Sequence, residues 1–123
     1  MKPGPLFERE LMLWFQRSGF PGCRRLGAQG ANDCGDLDGV DGWLISAKRT
    51  SAEDIGRCCT AAEKQARRAG KRRWVVIRRR RNHALGLAYV TMSLETFTEL
   101  IGGSTCTDPT ATCTSPPPAT ARR

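Results

Sequence analysis

Residues 51–77 read SAEDIGRCCTAAEKQARRAGKRRWVVI, and this stretch decides the fold class. Ile55, Cys58, Cys59, Ala62 and Ala66 recur at helical spacing, so one stripe of the segment is apolar. Ser51 is the expected N-cap, with Asp54 three residues on in a weaker form of the capping box, and Gly70 supplies the stop. Trp74-Val75-Val76-Ile77 follows as an unbroken apolar run, which suits a strand buried on both faces at the centre of a sheet. A helix feeding into a central strand points to an α/β protein.

The flanking segments extend that pattern in both directions. Trp43–Lys48 and Leu37–Val40 are short extended runs hinged at Asp41-Gly42, which resembles a hairpin. Cys23–Ala28 reads as a further short strand, closed by a turn through Gly30-Ala31-Asn32-Asp33. Over Leu6–Ser18, Phe7, Leu11, Trp14 and Phe15 recur at helical spacing, and Gly19 ends the helix. On the other side, the Arg-rich segment around Asn82 leads to a strand over Leu87–Thr91. Ser93 then caps a last helix whose stripe of Leu94, Phe97, Leu100 and Ile101 is expected to be buried. The element order is α-β-β-β-α-β-β-α, a mixed central sheet flanked by helices, with no internal repeat.

The chain of 123 residues has room for one domain, expected over residues 1–101. Residues 102–123 combine Gly102-Gly103, many threonines and Ser115-Pro116-Pro117-Pro118, a composition expected to form a disordered tail. No run approaches the roughly 20 apolar residues that span a bilayer, and charges at Glu8, Arg9 and Glu10 interrupt any signal-peptide core. A cytoplasmic protein without membrane partners is expected. Its six cysteines, Cys23, Cys34, Cys58, Cys59, Cys106 and Cys113, contain no Cys-x-x-Cys pair, and His83 is the one histidine. Reduced thiols therefore fit better than disulfides or a closed zinc site.

Charge is the strongest compositional signal. Lysine and arginine number 20 against 12 acidic residues, a formal charge of +8. Ten of these cations fall within residues 64–81: Lys64, Arg67, Arg68, Lys71, Arg72, Arg73, Arg78, Arg79, Arg80 and Arg81, with no carboxylate among them. An ordinary solvated face intersperses both signs, so single-sign clustering implies a polyanionic partner, and Arg forks match phosphate geometry. Nucleic acid is the expected partner, held through its backbone, since no helix-turn-helix, zinc-finger or aromatic RNA-binding signature is present.

One region is acidic: Asp33-Cys34-Gly35-Asp36-Leu37-Asp38, then Asp41. Asp33, Asp38 and Asp41 are adequately explained as turn formers. Asp36, at the start of one strand, and Lys48, at the end of the next, would meet at one end of the sheet. There a carboxylate can hold a hard divalent cation and an ammonium can steer a water. The plain alternative for Lys48 is a surface lysine at a strand end. For Glu8, next to Glu10, it is compensation of the helix dipole. His83 is assigned no role.

These residues resemble the PD-(D/E)xK nuclease superfamily, in particular the small Holliday-junction-resolvase-like proteins of actinobacterial phages. Glu8 with the later Gly19-Phe20-Pro21 is similar to the family's helix-borne glutamate and helix end. Arg24-Arg25 is similar to its basic pair, residues 33–40 to its Asp-x-Gly-Asp-Ile turn, Gly42-Trp43-Leu44-Ile45 to the following strand, and Lys48 to the catalytic lysine. The resemblance covers Leu6–Ile101. It implies a restriction-endonuclease-like fold, Mg²⁺ (or Mn²⁺) as cofactor, branched or duplex DNA as substrate, and a homodimer that nicks two symmetry-related strands.

The family's Glu-x-Lys reads Ser46-Ala47-Lys48 here. Two explanations stand. In the first the second carboxylate has migrated to the following helix, as in some restriction endonucleases, with Glu63 as its new position. Asp36, Glu63 and the Ala47 carbonyl would then hold the metal, Lys48 would activate water, and Glu8 would support the metal or its waters. Arg24, Arg25 and the 64–81 cations would grip the DNA. In the second the site has degenerated, leaving a DNA-binding accessory protein on the same fold.

Overall fold

The computed structural model describes residues 3–27, 35–49 and 54–104. Its elements are α1 (Pro3–Arg17), β1 (Arg24–Arg25), β2 (Leu37–Asp38), β3 (Trp43–Lys48), α2 (Ile55–Ala69), β4 (Arg73–Arg78), β5 (Tyr89–Thr91) and α3 (Leu94–Leu100), with a 3₁₀ turn at Leu85–Leu87 before β5. The sheet order is β1-β2-β3-β4-β5, antiparallel except where α2 carries the chain from β3 to a parallel β4. This is an α/β protein with a mixed five-stranded sheet and the element order read from the sequence.

The central pair explains the sheet. Six residues of β3 pair with six of β4 in unbroken register, from Trp43↔Arg73 to Lys48↔Arg78. Alternation then sorts their side chains between the two faces. Ile45, Val75 and Ile77 join Leu37, Phe7 and Leu11 beneath α1. Leu44 and Val76 pack against Cys58, Ala62 and Ala66 of α2, where small helix residues let the backbone approach closely. With both faces covered, the β4 run has no polar alternation to show, which is why it reads as one continuous apolar segment.

Several boundaries differ from the sequence reading. The first strand contracts to Arg24–Arg25, and its expected end at Ala28 and the turn through 30–33 lie outside the described residues. Asp54, not Ser51, is the N-cap of α2: its carboxylate accepts the N–H groups of Gly56 and Arg57. Asp54 sits one residue before the first helical turn, where a short acceptor reaches the orphan donors, whereas Ser51 lies outside the described residues. Gly70 closes α2 in the left-handed conformation, as expected. On α1, Phe7 and Leu11 are buried but Trp14 is 45 % exposed.

The chain divides into two units, Met1–Met92 and Ser93–Arg123. In the second, Ser93 caps α3 by accepting the Thr96 N–H, as expected. Its stripe of Leu94, Phe97, Leu100 and Ile101 is exposed rather than buried, a correction of the sequence reading. Periodicity finds an apolar face but cannot say that the fold covers it. The tail beyond residue 104, with Cys106 and Cys113, lies outside the described residues.

Candidate nucleic-acid interface and catalytic rim

The C-terminal end of β3 is where the sequence-predicted residues meet. Asp36 precedes β2, and its carboxylate accepts the backbone N–H of Ala47 at 2.7 Å. Its own N–H donates to the Ile45 carbonyl at 2.9 Å. Successive backbone groups of a strand point to opposite sides. Arg79 N–H reaches the Lys48 carbonyl on the β4 side at 2.9 Å, so the Ala47 carbonyl lies on the other side, the β2 side where Asp36 accepts the Ala47 N–H. Asp36, the Ala47 backbone and Lys48 thus share one rim of the sheet. Asp36 and Lys48 are both half-buried, and Ser46, at 5 % exposure, is buried between the sheet and α2.

The other predicted residues are arranged differently. Glu63 is half-exposed on α2 and pairs with Arg67 one turn on, at 3.4 Å. Glu8 pairs with Arg25 at 3.4 Å. Arg25 is the register partner of Leu37, whose side chain lies beneath α1, so this pair belongs to the α1 face. Lys48 shares strand parity with Leu44, which faces α2. Asp38 accepts Lys71 and Arg24, each at 3.1 Å. The Lys71 hydrogen bond holds the Asp38 carboxyl below the usual carboxylate range, with the N–H of Gly39 and the charge of Arg24 acting the same way against partial burial. Asp38 is therefore a strand residue of β2 at the centre of two ion pairs, not the turn former the sequence suggests.

The basic stretch is not one patch. β4 separates Arg73 from Arg78 by about 17 Å at the usual rise per strand residue. Lys64, Arg67 and Arg68 lie on the second half of α2, and Lys71 and Arg72 lead into Arg73 at the start of β4, where Arg73 lies 5.3 Å over the ring of Trp43. Arg67 and Arg68 occupy the last turn of α2, where cations also complement the helix dipole. Arg78, Arg79, Arg80 and Arg81 stand at the opposite end, on the rim of Lys48. There Arg49, these four arginines, His83 and Tyr89 line a cleft of about 550 Å³.

That cleft is organised. The Arg80 guanidinium lies 4.4 Å over the Tyr89 ring and donates to the Leu87 carbonyl and to Nε2 of His83. Because Nε2 accepts, Nδ1 carries the proton and donates to the Arg81 carbonyl at 2.8 Å, the geometry of a neutral imidazole. Sequence reasoning assigned nothing to His83 and omitted Arg49 and Tyr89. One signal was present in the chain, Arg49 directly following Lys48; the pairing of Tyr89 with Arg78 comes only from the sheet register.

Three of the cysteines are among the described residues. Cys23 and Cys58 are buried and Cys59 partly so, and none of the three is in a disulfide. Burial pushes the Cys23 and Cys59 thiols up, with Asp38 adding to the first and Arg78 opposing the second. Among the described residues no group of three histidine, cysteine or acidic side chains converges on a metal position, and no helix is long and apolar enough to cross a membrane.

No family model, curated protein or solved structure matches the chain.

Proposed function

We propose that this chain is a DNA-binding phosphodiesterase of the PD-(D/E)xK type, a metal-dependent endonuclease resembling phage junction resolvases. The observation that carries the reading is the seat of Asp36 on the Ala47 N–H, beside Lys48, at the end of the sheet that also bears the arginine cleft. Mg²⁺ takes one or two carboxylates with waters and phosphate oxygens, so Asp36 and the Ala47 carbonyl meet the minimum of the donor set, in a half-buried position. The ion, when bound, supplies Lewis-acid stabilisation of a phosphate oxygen. Lys48 orients the attacking water and offsets charge developing on the phosphate. The rim arginines hold the DNA backbone on both sides of the scissile bond.

Glu63 enters this site only by leaving Arg67. That pairing favours a second reading, a non-cleaving DNA-binding protein on the same fold, because buried, neutral Ser46 stands where the family carries its glutamate. The homodimer remains an implication of the resemblance.

The two readings separate in a nicking assay on four-way junctions and on linear duplex with Mg²⁺ or Mn²⁺, run beside DNA-binding titrations over a salt series. Metal-dependent nicking lost in Lys48→Ala supports the enzyme. Binding with a steep salt slope but no cleavage in any variant supports the accessory protein. Absence of salt-sensitive binding rejects both. Sedimentation of the DNA-free chain tests the dimer.

A further inference from the structure

The geometry points to the arginine cleft as a receptor for the terminal phosphomonoester of a DNA strand. This rests on the nucleic-acid reading above and goes beyond it, because contact with a continuous duplex does not require a pocket. Backbone phosphates of a duplex lie on a convex surface, and each carries one charge shared by two free oxygens. A terminal phosphate projects from the strand, carries about −1.5 to −2 charges near neutral pH and offers three strong acceptors.

The cleft matches the second kind of group. Five of its seven lining residues are arginines, and the described lining contains no carboxylate. Its volume of about 550 Å³ lies in the range of small-ligand sites, large enough for a nucleotide end rather than a lone ion. It is also preorganised. Arg80 is fixed by Tyr89, Leu87 and His83, so little of its freedom remains to be lost on binding. Arg79 and Arg81 are exposed beside it, and Tyr89 keeps 57 % of its surface open, an aromatic wall for the terminal sugar or base. His83 holds the Arg80 guanidinium and the main-chain carbonyl of Arg81.

The cleft begins at the residue after Lys48, and Arg79 is tied to the Lys48 carbonyl. A strand end seated among the arginines therefore brings the nearby phosphodiesters of the same strand to the Asp36 and Lys48 rim. The substrate class this implies is a nicked, flapped or broken strand with a phosphorylated end.

The test uses the full chain, without divalent metal, and short blunt duplexes of one sequence carrying a 5′-phosphate, a 3′-phosphate or hydroxyls at both ends. Fluorescence anisotropy should show at least about tenfold tighter binding to one phosphorylated form, as expected for charge-assisted hydrogen bonds to the added group. The two phosphorylated arms show which end is read. Arg79→Ala with Arg81→Ala should abolish the preference, whereas Arg72→Ala, directly before the far end of β4, should weaken binding to every duplex alike. Equal affinity for all three duplexes with a steep salt slope overturns the receptor and leaves the DNA-binding reading intact. A preference that survives the double variant also overturns it. No salt-sensitive binding to any duplex removes both.

Discussion

Arg79 donates its backbone N–H to the carbonyl of Lys48 at 2.9 Å. The parallel pairing of β3 and β4 therefore continues beyond the last residue of β4, and the candidate catalytic lysine is joined through the main chain to the arginine cleft. A rigid ladder, not a flexible loop, sets the spacing between the two. Substitutions at Asp36 and Lys48 can accordingly be separated from those in the cleft.

Asp36→Asn should preserve the fold and remove the chemistry. The amide oxygen can still accept the Ala47 N–H, so the melting midpoint should change little, while Mg²⁺-dependent nicking should fall by at least about a hundredfold. Asp36→Leu leaves that N–H without its partner and should cost about 1–3 kcal/mol in a denaturant titration. Nicking by Asp36→Asn at the wild-type rate would remove Asp36 from the site.

Glu63→Gln distinguishes the two sources of the second carboxylate. Because Glu63 is half-exposed and paired with Arg67, its loss should change stability by less than about 0.5 kcal/mol. If nicking stays within about threefold of wild type, the ligand has not migrated to α2, and Asp36 works with waters and substrate oxygens. Loss of nicking with binding intact would place Glu63 at the metal.

Asp38 makes stability depend on pH in a stated direction. Its folded carboxyl titrates below the unfolded one, chiefly through the Lys71 hydrogen bond. The stabilisation is thus fully present above the unfolded value of about 4 and is lost as pH falls through the lower folded value. The stability gap between wild type and Asp38→Asn, read from urea titrations, should be constant from neutral pH to about 5 and close below about 4. A gap that widened on acidification would contradict the ion-pair assignment.

Gly39→Ala should be among the most damaging single changes. Gly39 has φ +103°, and a Cβ there would lie 2.6 Å from both Cys23 Cα and the carbonyl carbon of Gly22. Backbone cannot move aside as a side-chain tip can, so a loss of about 3 kcal/mol or more is expected in urea unfolding. Gly19→Ala is the matched control. Its φ is +109°, but a Cβ would meet nothing within 4 Å, so only the backbone term of about 1–2 kcal/mol applies.

How much of this was legible in the residues depends on the range of the interaction involved. Helical spacing in residues 55–66 and the apolar run 74–77 determined α2 and the central strand, because local periodicity and burial on both faces leave a direct trace in the chain. That Asp36 and Lys48 lie at the same end of the sheet was also readable, since a hairpin of known length brings its ends together. Tertiary structure decided the remainder. It divided the ten clustered cations between α2, the start of β4 and the far end of β4, because a strand carries its two flanks apart. It paired Glu8 with Arg25 and Glu63 with Arg67, left the α3 stripe exposed, and built the cleft from Arg49, Arg80, His83 and Tyr89. Charge adjacency in a sequence measures distance along the chain. Electrostatic fields and pockets depend on distance through space, and only the sheet register converts one into the other.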